Sequence, residues 1–117
     1  MTALITRDEL RAEIDAGTVT VVDALGGEYY AAQHLPGAVP LVEADVAAQA
    51  GRLLPDRAAP IVTYCTNPAC PNSEQVAQRL VALGYANVRK YREGIEDWVA
   101  AGLPTERGAM VVSESAN

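Results

Sequence analysis

Two cysteines and one histidine are all the thiol and imidazole side chains in this chain of 117 residues. They are too few to fill a structural zinc site of the usual Cys/His type unaided. Basic residues are short as well, with nine Lys and Arg against fifteen Asp and Glu and a formal net charge of −6. Nucleic acid and an anionic membrane surface both call for a basic face, so neither is expected as a partner. No apolar run approaches the length of a membrane span. The opening stretch, residues 1–8, lacks the basic region and long apolar segment of a signal peptide. The expectation is therefore a cytoplasmic protein with both cysteines mostly reduced. What is present suits one globular domain, since half the residues are hydrophobic and the length allows a core without disulfides or metals.

The pattern along the chain alternates helices and strands, with no internal repeat and no dividing linker. Thr6 followed by Glu9 is a capping box that opens a helix to about Ala16, ended by Gly17, with Leu10 and Ile14 as its apolar stripe. The β-branched run Val19-Thr20-Val21-Val22-Asp23 reads as a buried strand. After Gly26-Gly27 come one or two helical turns over 28–33. Turn chemistry follows at His34-Leu35-Pro36-Gly37-Ala38, then a short strand around Val39-Pro40-Leu41. Residues 43–49 form an alanine-rich helix and 53–60 a connection. Ile61 to Tyr64 is a second buried strand. Ser73 to Leu83 is a helix ending at Gly84, with Val76, Ala77, Leu80 and Leu83 on one face. Asn87-Val88-Arg89 reads as a strand, and Ile95 to Ala100 as a last helix bearing Trp98. The domain is expected to cover 1–104, with a mobile tail over 105–117 in which Met110-Val111-Val112 is the one apolar group. This order implies an α/β domain with a parallel sheet, whose sites lie beyond the carboxyl ends of the strands.

Cys65 falls at such an end. It closes the run Pro60-Ile61-Val62-Thr63-Tyr64 and opens a loop, Thr66-Asn67-Pro68-Ala69-Cys70-Pro71, that leads to a helix start at Asn72-Ser73. Unpaired N–H groups and the positive end of a helix dipole favour a thiolate there, which makes Cys65 the candidate nucleophile. The alternative is a small buried hydrophobe.

These segments together resemble a known family. Val21-Val22-Asp23, Tyr30, His34-Leu35-Pro36-Gly37-Ala38, Ile61-Val62-Thr63-Tyr64-Cys65 and Gly94-Ile95-Glu96-Asp97-Trp98 look like the rhodanese homology domain, in order and spacing, over roughly residues 4–104. The resemblance implies a central, mostly parallel sheet flanked by helices on both faces. It also implies a sulfurtransferase without cofactor or metal. Cys65 would take sulfane sulfur from a small donor (thiosulfate, 3-mercaptopyruvate or a persulfide), hold it as a persulfide and pass it to a thiol or protein acceptor. Backbone N–H groups of the loop 66–73, with the helix N-terminus, would stabilise the persulfide anion. Ser73 would cap the helix or turn its hydroxyl to the sulfur.

Three departures from the family pattern bear on the donor. Ser73 lies eight positions after Cys65, so the loop is two residues longer than usual, and it carries two prolines but no Gly, Arg or Lys. Cys70 sits inside it. Leu25 stands where an Asp-x-Arg motif often has Arg, and Glu93 replaces a glycine before Gly94. A neutral loop offers less to a dianion such as thiosulfate. It also argues against the related Cys-dependent phosphatases, which need a loop arginine to grip an oxyanion.

Other residues carry weaker expectations. Cys70 is a candidate resolving thiol for an oxidised or persulfidated Cys65. Arg89, Lys90 and Arg92 are candidates for attracting an anionic donor. Asp23 is expected to support a loop, His34 to be structural, Trp98 with Ile95 to be core, and Tyr29 and Tyr30 to be packing residues. Two readings compete with the transferase: a non-catalytic regulatory or protein-binding module, and a Cys65–Cys70 redox switch.

Overall fold

The capping box predicted for the first helix is formed reciprocally, with Glu9 N–H donating to the Thr6 hydroxyl and Thr6 N–H to the Glu9 carboxylate. The structure, a computed structural model, describes residues 2–108. In chain order its elements are β1 (Ala3–Leu4), α1 (Arg7–Ala16), β2 (Thr20–Asp23), α2 (Gly27–Ala32), β3 (Val39–Pro40), a 3₁₀ turn (Glu43–Asp45), α3 (Val46–Leu53), β4 (Ile61–Tyr64), α4 (Asn72–Ala82), β5 (Val88–Tyr91) and α5 (Gly94–Ala100). The five strands form one parallel sheet in the order β1-β5-β4-β2-β3. β4 is central, with Tyr64 opposite Asp23 of β2 on one side and Tyr91 of β5 on the other.

Alternation along the strands divides the core into two clusters, one per face of the sheet. Ile61 and Cys65 join Val22, Val46, Ala50, Val76, Ala77 and Leu80 on the face covered by α3 and α4. Val62 and Tyr64 join Leu10, Val21, Tyr30, Leu35, Tyr91 and Trp98 on the face covered by α1, α2 and α5. The sulfur of Cys65 is thereby committed to the α3/α4 side before the chain leaves the sheet. Among the described residues, no helix is long and apolar enough to cross a membrane.

Several expectations are corrected. β1 escapes a reading by pattern because two residues cannot display an alternation. The helix expected over 43–49 is a 3₁₀ turn followed by α3, which runs on to Leu53 because Val46, Ala50 and Leu54 continue one buried stripe at four-residue spacing. Leu83 leaves the apolar face of α4: the helix ends at Ala82, Leu83 is exposed, and Tyr85 turns inward instead. Tyr29 is not a packing residue, since it is 70% exposed, whereas Tyr30 is buried and donates to the Ala38 carbonyl at 2.7 Å.

Residues on either side of the expected boundary at 104 are hydrogen-bonded to the rest of the chain. Trp98 Nε1 donates to the Pro104 carbonyl at 2.8 Å, and His34 and Glu106 exchange backbone hydrogen bonds of 2.8 Å. Gly108 N–H donates to Ala31 at 2.7 Å. The remainder of the expected tail, with Met110-Val111-Val112, lies outside the described residues.

Candidate active site

The backbone at Cys65 is clamped by the helix that closes the domain. Ile95 N–H donates to the Cys65 carbonyl at 2.9 Å and Glu96 N–H to the Thr66 carbonyl at 3.1 Å, so the first turn of α5 satisfies the carbonyls that β4 leaves open at its end. This approach requires glycine at 94. Gly94 has φ +76°, and a Cβ there would stand 2.5 Å from the Thr66 carbonyl group and 2.6 Å from the Cys65 oxygen. From the other side, Thr63 donates its hydroxyl to the Ser73 carbonyl at 3.0 Å, fixing the first turn of α4 against β4. The nucleophile candidate thus sits between two helix N-termini, with its sulfur toward α4.

Around that sulfur the arrangement differs from the expected cradle of N–H groups. The Cys65 thiol donates to the carbonyl oxygen of Cys70 at 3.3 Å and lies 3.5 Å from Ser73 Oγ. Asn67 explains why the loop turns this way. Its side-chain oxygen accepts from Ala69 N–H at 3.0 Å and its carbonyl from Cys70 N–H at 3.1 Å, while its amide donates to Glu96 at 3.2 Å. Pro68 and Pro71 have no N–H to offer. Two loop donors are therefore consumed within the loop, two positions have none, and a carbonyl faces the sulfur. Cys65 is almost wholly buried, and burial, followed by the contact with Cys70, pushes its thiol pKa up. The hydroxyl and N–H of Ser73 act the other way without reversing the shift. Burial and the Cys70 contact thus work against the thiolate that the helix N-terminus is expected to favour, and Ser73 works for it. Ser73 does not cap α4, which begins at Asn72 behind Pro71 and has no side-chain cap. Both cysteines are free, Cys65 buried and Cys70 half-buried beside the same apolar cluster.

Asp23 is fully buried and serves the loop after β2. Its carboxylate accepts from Leu25 N–H (2.8 Å), Gly26 N–H (3.1 Å) and the Tyr64 hydroxyl (2.6 Å). Tyr64 in turn accepts from Leu35 N–H at 3.1 Å, and burial beside Asp23 raises its pKa far beyond the ordinary phenol range. Asn72 ties this loop to the cysteine loop by donating to the Ala24 carbonyl at 3.4 Å. His34 is buried, stacked on Tyr30 at 3.9 Å with Nδ1 2.7 Å from the Tyr30 carbonyl, and takes no place beside the sulfur.

The three basic residues are not brought together as a donor-attracting cluster. Arg89 and Lys90 point to opposite faces of β5, where Arg89 pairs with Glu13 of α1 at 2.6 Å and Lys90 with Glu74 of α4 at 2.9 Å. Arg92 meets Glu93 at 3.1 Å on the surface. Each charge has a carboxylate within ion-pair reach, and Lys90 and Arg92 line one surface recess with Glu74. Among the described residues, no three His, Cys, Asp or Glu side chains converge as a metal site.

Two supporting residues, Gly94 and Tyr64, stand within the quoted motifs without a role of their own, and the signal for Gly94 is a glycine at the first position of a helix. Asn67 is expected as a member of the active-site loop, and its Asn-Pro pair, a turn-forming combination, is the signal for the turn it makes.

Comparison with known proteins gives a consistent result. The family model described as a rhodanese-like domain matches residues 6–101. The HTH-type transcriptional regulator Rv0324 of Mycobacterium tuberculosis is 37% identical over 107 residues, covering 92% of this chain and 46% of the relative. The chain therefore spans about half the length of that curated protein. Among solved structures, the BH2092 protein of Bacillus halodurans superposes with a TM-score of 0.82 at 26% identity, over 91% of this chain and 77% of that one. A thiosulfate sulfurtransferase from Pseudomonas aeruginosa superposes with a TM-score of 0.77 at 23% identity, over 93% of this chain and 21% of that one, a likeness of fold alone.

Proposed function

We propose that this chain, which belongs to the family of rhodanese-like domains, is a sulfurtransferase that carries sulfane sulfur on Cys65. The observation that carries the reading is a cysteine at the end of the central strand, clamped by α5 through its own carbonyl and turned toward the N-terminus of α4. In the first half-reaction the Cys65 thiolate attacks the outer sulfur of a donor. A Cys65–sulfur bond forms, the donor's bond to that sulfur breaks, and its electron pair departs with the leaving group. For thiosulfate the leaving group is sulfite, for 3-mercaptopyruvate the enolate of pyruvate, and for a persulfide the shortened thiolate. In the second half-reaction an acceptor thiolate attacks the outer sulfur and Cys65 leaves as thiolate. Ser73 is the residue placed to favour both anionic forms of Cys65, through its hydroxyl and its N–H. No metal or organic cofactor enters either step, and no nucleic acid or membrane takes part.

Thiocyanate formation from each donor with cyanide as acceptor, measured for the wild type and Cys65→Ser, tests the assignment. Turnover that disappears in Cys65→Ser supports it. Equal turnover in the two proteins, or none with any donor, removes it.

A second reading is favoured by the regulator relative, which matches nearly all of this chain with about half of its own length. In that reading the domain reports sulfur rather than exporting it, and Cys70 is the resolving thiol. Attack of the Cys70 thiolate on the inner sulfur of the Cys65 persulfide forms a Cys65–Cys70 disulfide and releases hydrosulfide, with no external oxidant. A protein that gains one sulfur and then, in the absence of acceptor, settles two hydrogens below its reduced mass favours the switch. A persulfide that persists until an acceptor is added favours the transferase.

A further inference from the structure

The polar surroundings of the Cys65 sulfur are unbalanced in a way that bears on the donor. The oxygen 3.3 Å from Sγ belongs to the Cys70–Pro71 peptide. That peptide has no hydrogen on its nitrogen, so no rotation of it can replace the carbonyl by an N–H. The two preceding N–H groups, at Ala69 and Cys70, are held by Asn67. Arg89, Lys90 and Arg92 are each paired with a carboxylate, and Leu25 and Cys70 both pack as apolar groups on the cluster that contains Cys65. Ser73 alone acts the other way, with its hydroxyl oxygen 3.5 Å from Sγ and its N–H also favouring the anion. Negative charge arriving here meets the negative end of a carbonyl dipole, whereas a hydrogen arriving on sulfur meets an acceptor.

We propose that the Cys70 carbonyl, kept free of an alternative N–H by Pro71, selects the sulfur donor. It favours hydropersulfides, which deliver sulfur together with a hydrogen, over thiosulfate, which delivers it as an anion. This selection rests on the transferase reading above. With a hydropersulfide RSSH, the Cys65 thiolate attacks the outer sulfur, the donor S–S bond breaks, and its electron pair leaves with RS⁻. The product Cys65–S–SH keeps the hydrogen, which the Cys70 carbonyl can accept. The proton first lost by Cys65 ends on the leaving thiolate through solvent, so Cys65–SH and RSSH give Cys65–SSH and RSH. With thiosulfate the same attack expels sulfite and leaves Cys65–S–S⁻ against the carbonyl oxygen. The upward push of burial and Cys70 on the thiol acts in the same sense.

Pro71 is exposed at the position before α4, so Pro71→Ala restores an N–H with little disturbance of packing. Initial rates of sulfur gain by intact mass would be compared for wild type and Pro71→Ala, with thiosulfate and with glutathione hydropersulfide. The preference for hydropersulfide should narrow by about tenfold in Pro71→Ala, the effect of one charge-assisted hydrogen bond. An unchanged ratio overturns the selection while leaving the transferase in place. If neither donor loads either protein, the transferase reading fails. The carbonyl's effect on charge is then read from alkylation of Cys65, located by peptide mass, with neutral iodoacetamide and anionic iodoacetate. A wild-type preference for iodoacetamide greater than that of free glutathione, reduced in Pro71→Ala, supports the unbalanced surroundings. A preference equal to that of glutathione overturns them.

Discussion

Replacing Gly94 by alanine should destabilise the domain through one contact, and the cost can be worked from the geometry. An alanine Cβ would lie 2.5 Å from the Thr66 carbonyl group and 2.6 Å from the Cys65 oxygen, all backbone atoms that cannot swing aside as a side chain would. The left-handed φ of +76° adds roughly 1–2 kcal/mol for any residue with a Cβ. Overpacking of this kind costs about 1–3 kcal/mol. Backing α5 away to relieve it sacrifices the Ile95–Cys65 and Glu96–Thr66 hydrogen bonds, each worth about 1 kcal/mol. The expected loss is therefore roughly 2–5 kcal/mol, a fall in melting temperature of at least about 8 °C for a domain of this size. Gly102 provides the control, because it has the same φ of +76° with nothing within 4 Å of its Cβ position. Gly102→Ala should show only the dihedral cost. Urea unfolding followed by circular dichroism measures both, and equal losses in the two variants would refute the close approach of α5 to the Cys65 backbone.

Three further outcomes follow from the same structure. Asp23→Ala leaves two N–H groups and the Tyr64 hydroxyl without their buried acceptor, so it should cost about 2–4 kcal/mol in chemical unfolding, and Asp23→Asn less because one acceptor oxygen remains. Alkylation of Cys65 by iodoacetamide should reach half its maximal rate at a pH above the ordinary thiol value of about 8.5, and Ser73→Ala should move that midpoint higher still, as seen by peptide mass across a pH series. Lys90, with Thr2 and Gln78 assisting against the opposing effect of burial, holds the Glu74 carboxyl at about 2 instead of 4.5. A depressed carboxyl contributes stability above its unfolded value and loses it as pH falls through the folded one. The deficit of Lys90→Met at neutral pH should therefore shrink between pH 4.5 and about pH 2 in urea titrations.

Much of the architecture was legible because its signals were local. The capping box at Thr6 and Glu9, the β-branched runs ending at Asp23 and Tyr64, and the stripe Val76, Ala77 and Leu80 each carried its own physical reason. So did the place of Cys65 at a strand end. What could not be read depended on contacts between distant segments. Arg89 and Lys90 are adjacent in the chain, yet β-alternation sends one to Glu13 and the other to Glu74, and neither partner is visible from a run of basic residues. The orientation of the cysteine loop was hidden for a different reason. A loop with two prolines has few N–H groups, and whether the rest face the sulfur depends on Asn67, whose hydrogen bonds reach both the loop backbone and Glu96 of α5. The helix N-terminus that favours a thiolate is opposed here by burial and a single carbonyl oxygen.

The most direct test of the account is the intact mass of the reduced protein after exposure to glutathione hydropersulfide, with Cys65→Ser beside the wild type. The account predicts a gain of one sulfur in the wild type, reversed by cyanide or thiol and missing in Cys65→Ser. A mass that does not change, or a gain that survives in Cys65→Ser, would contradict it.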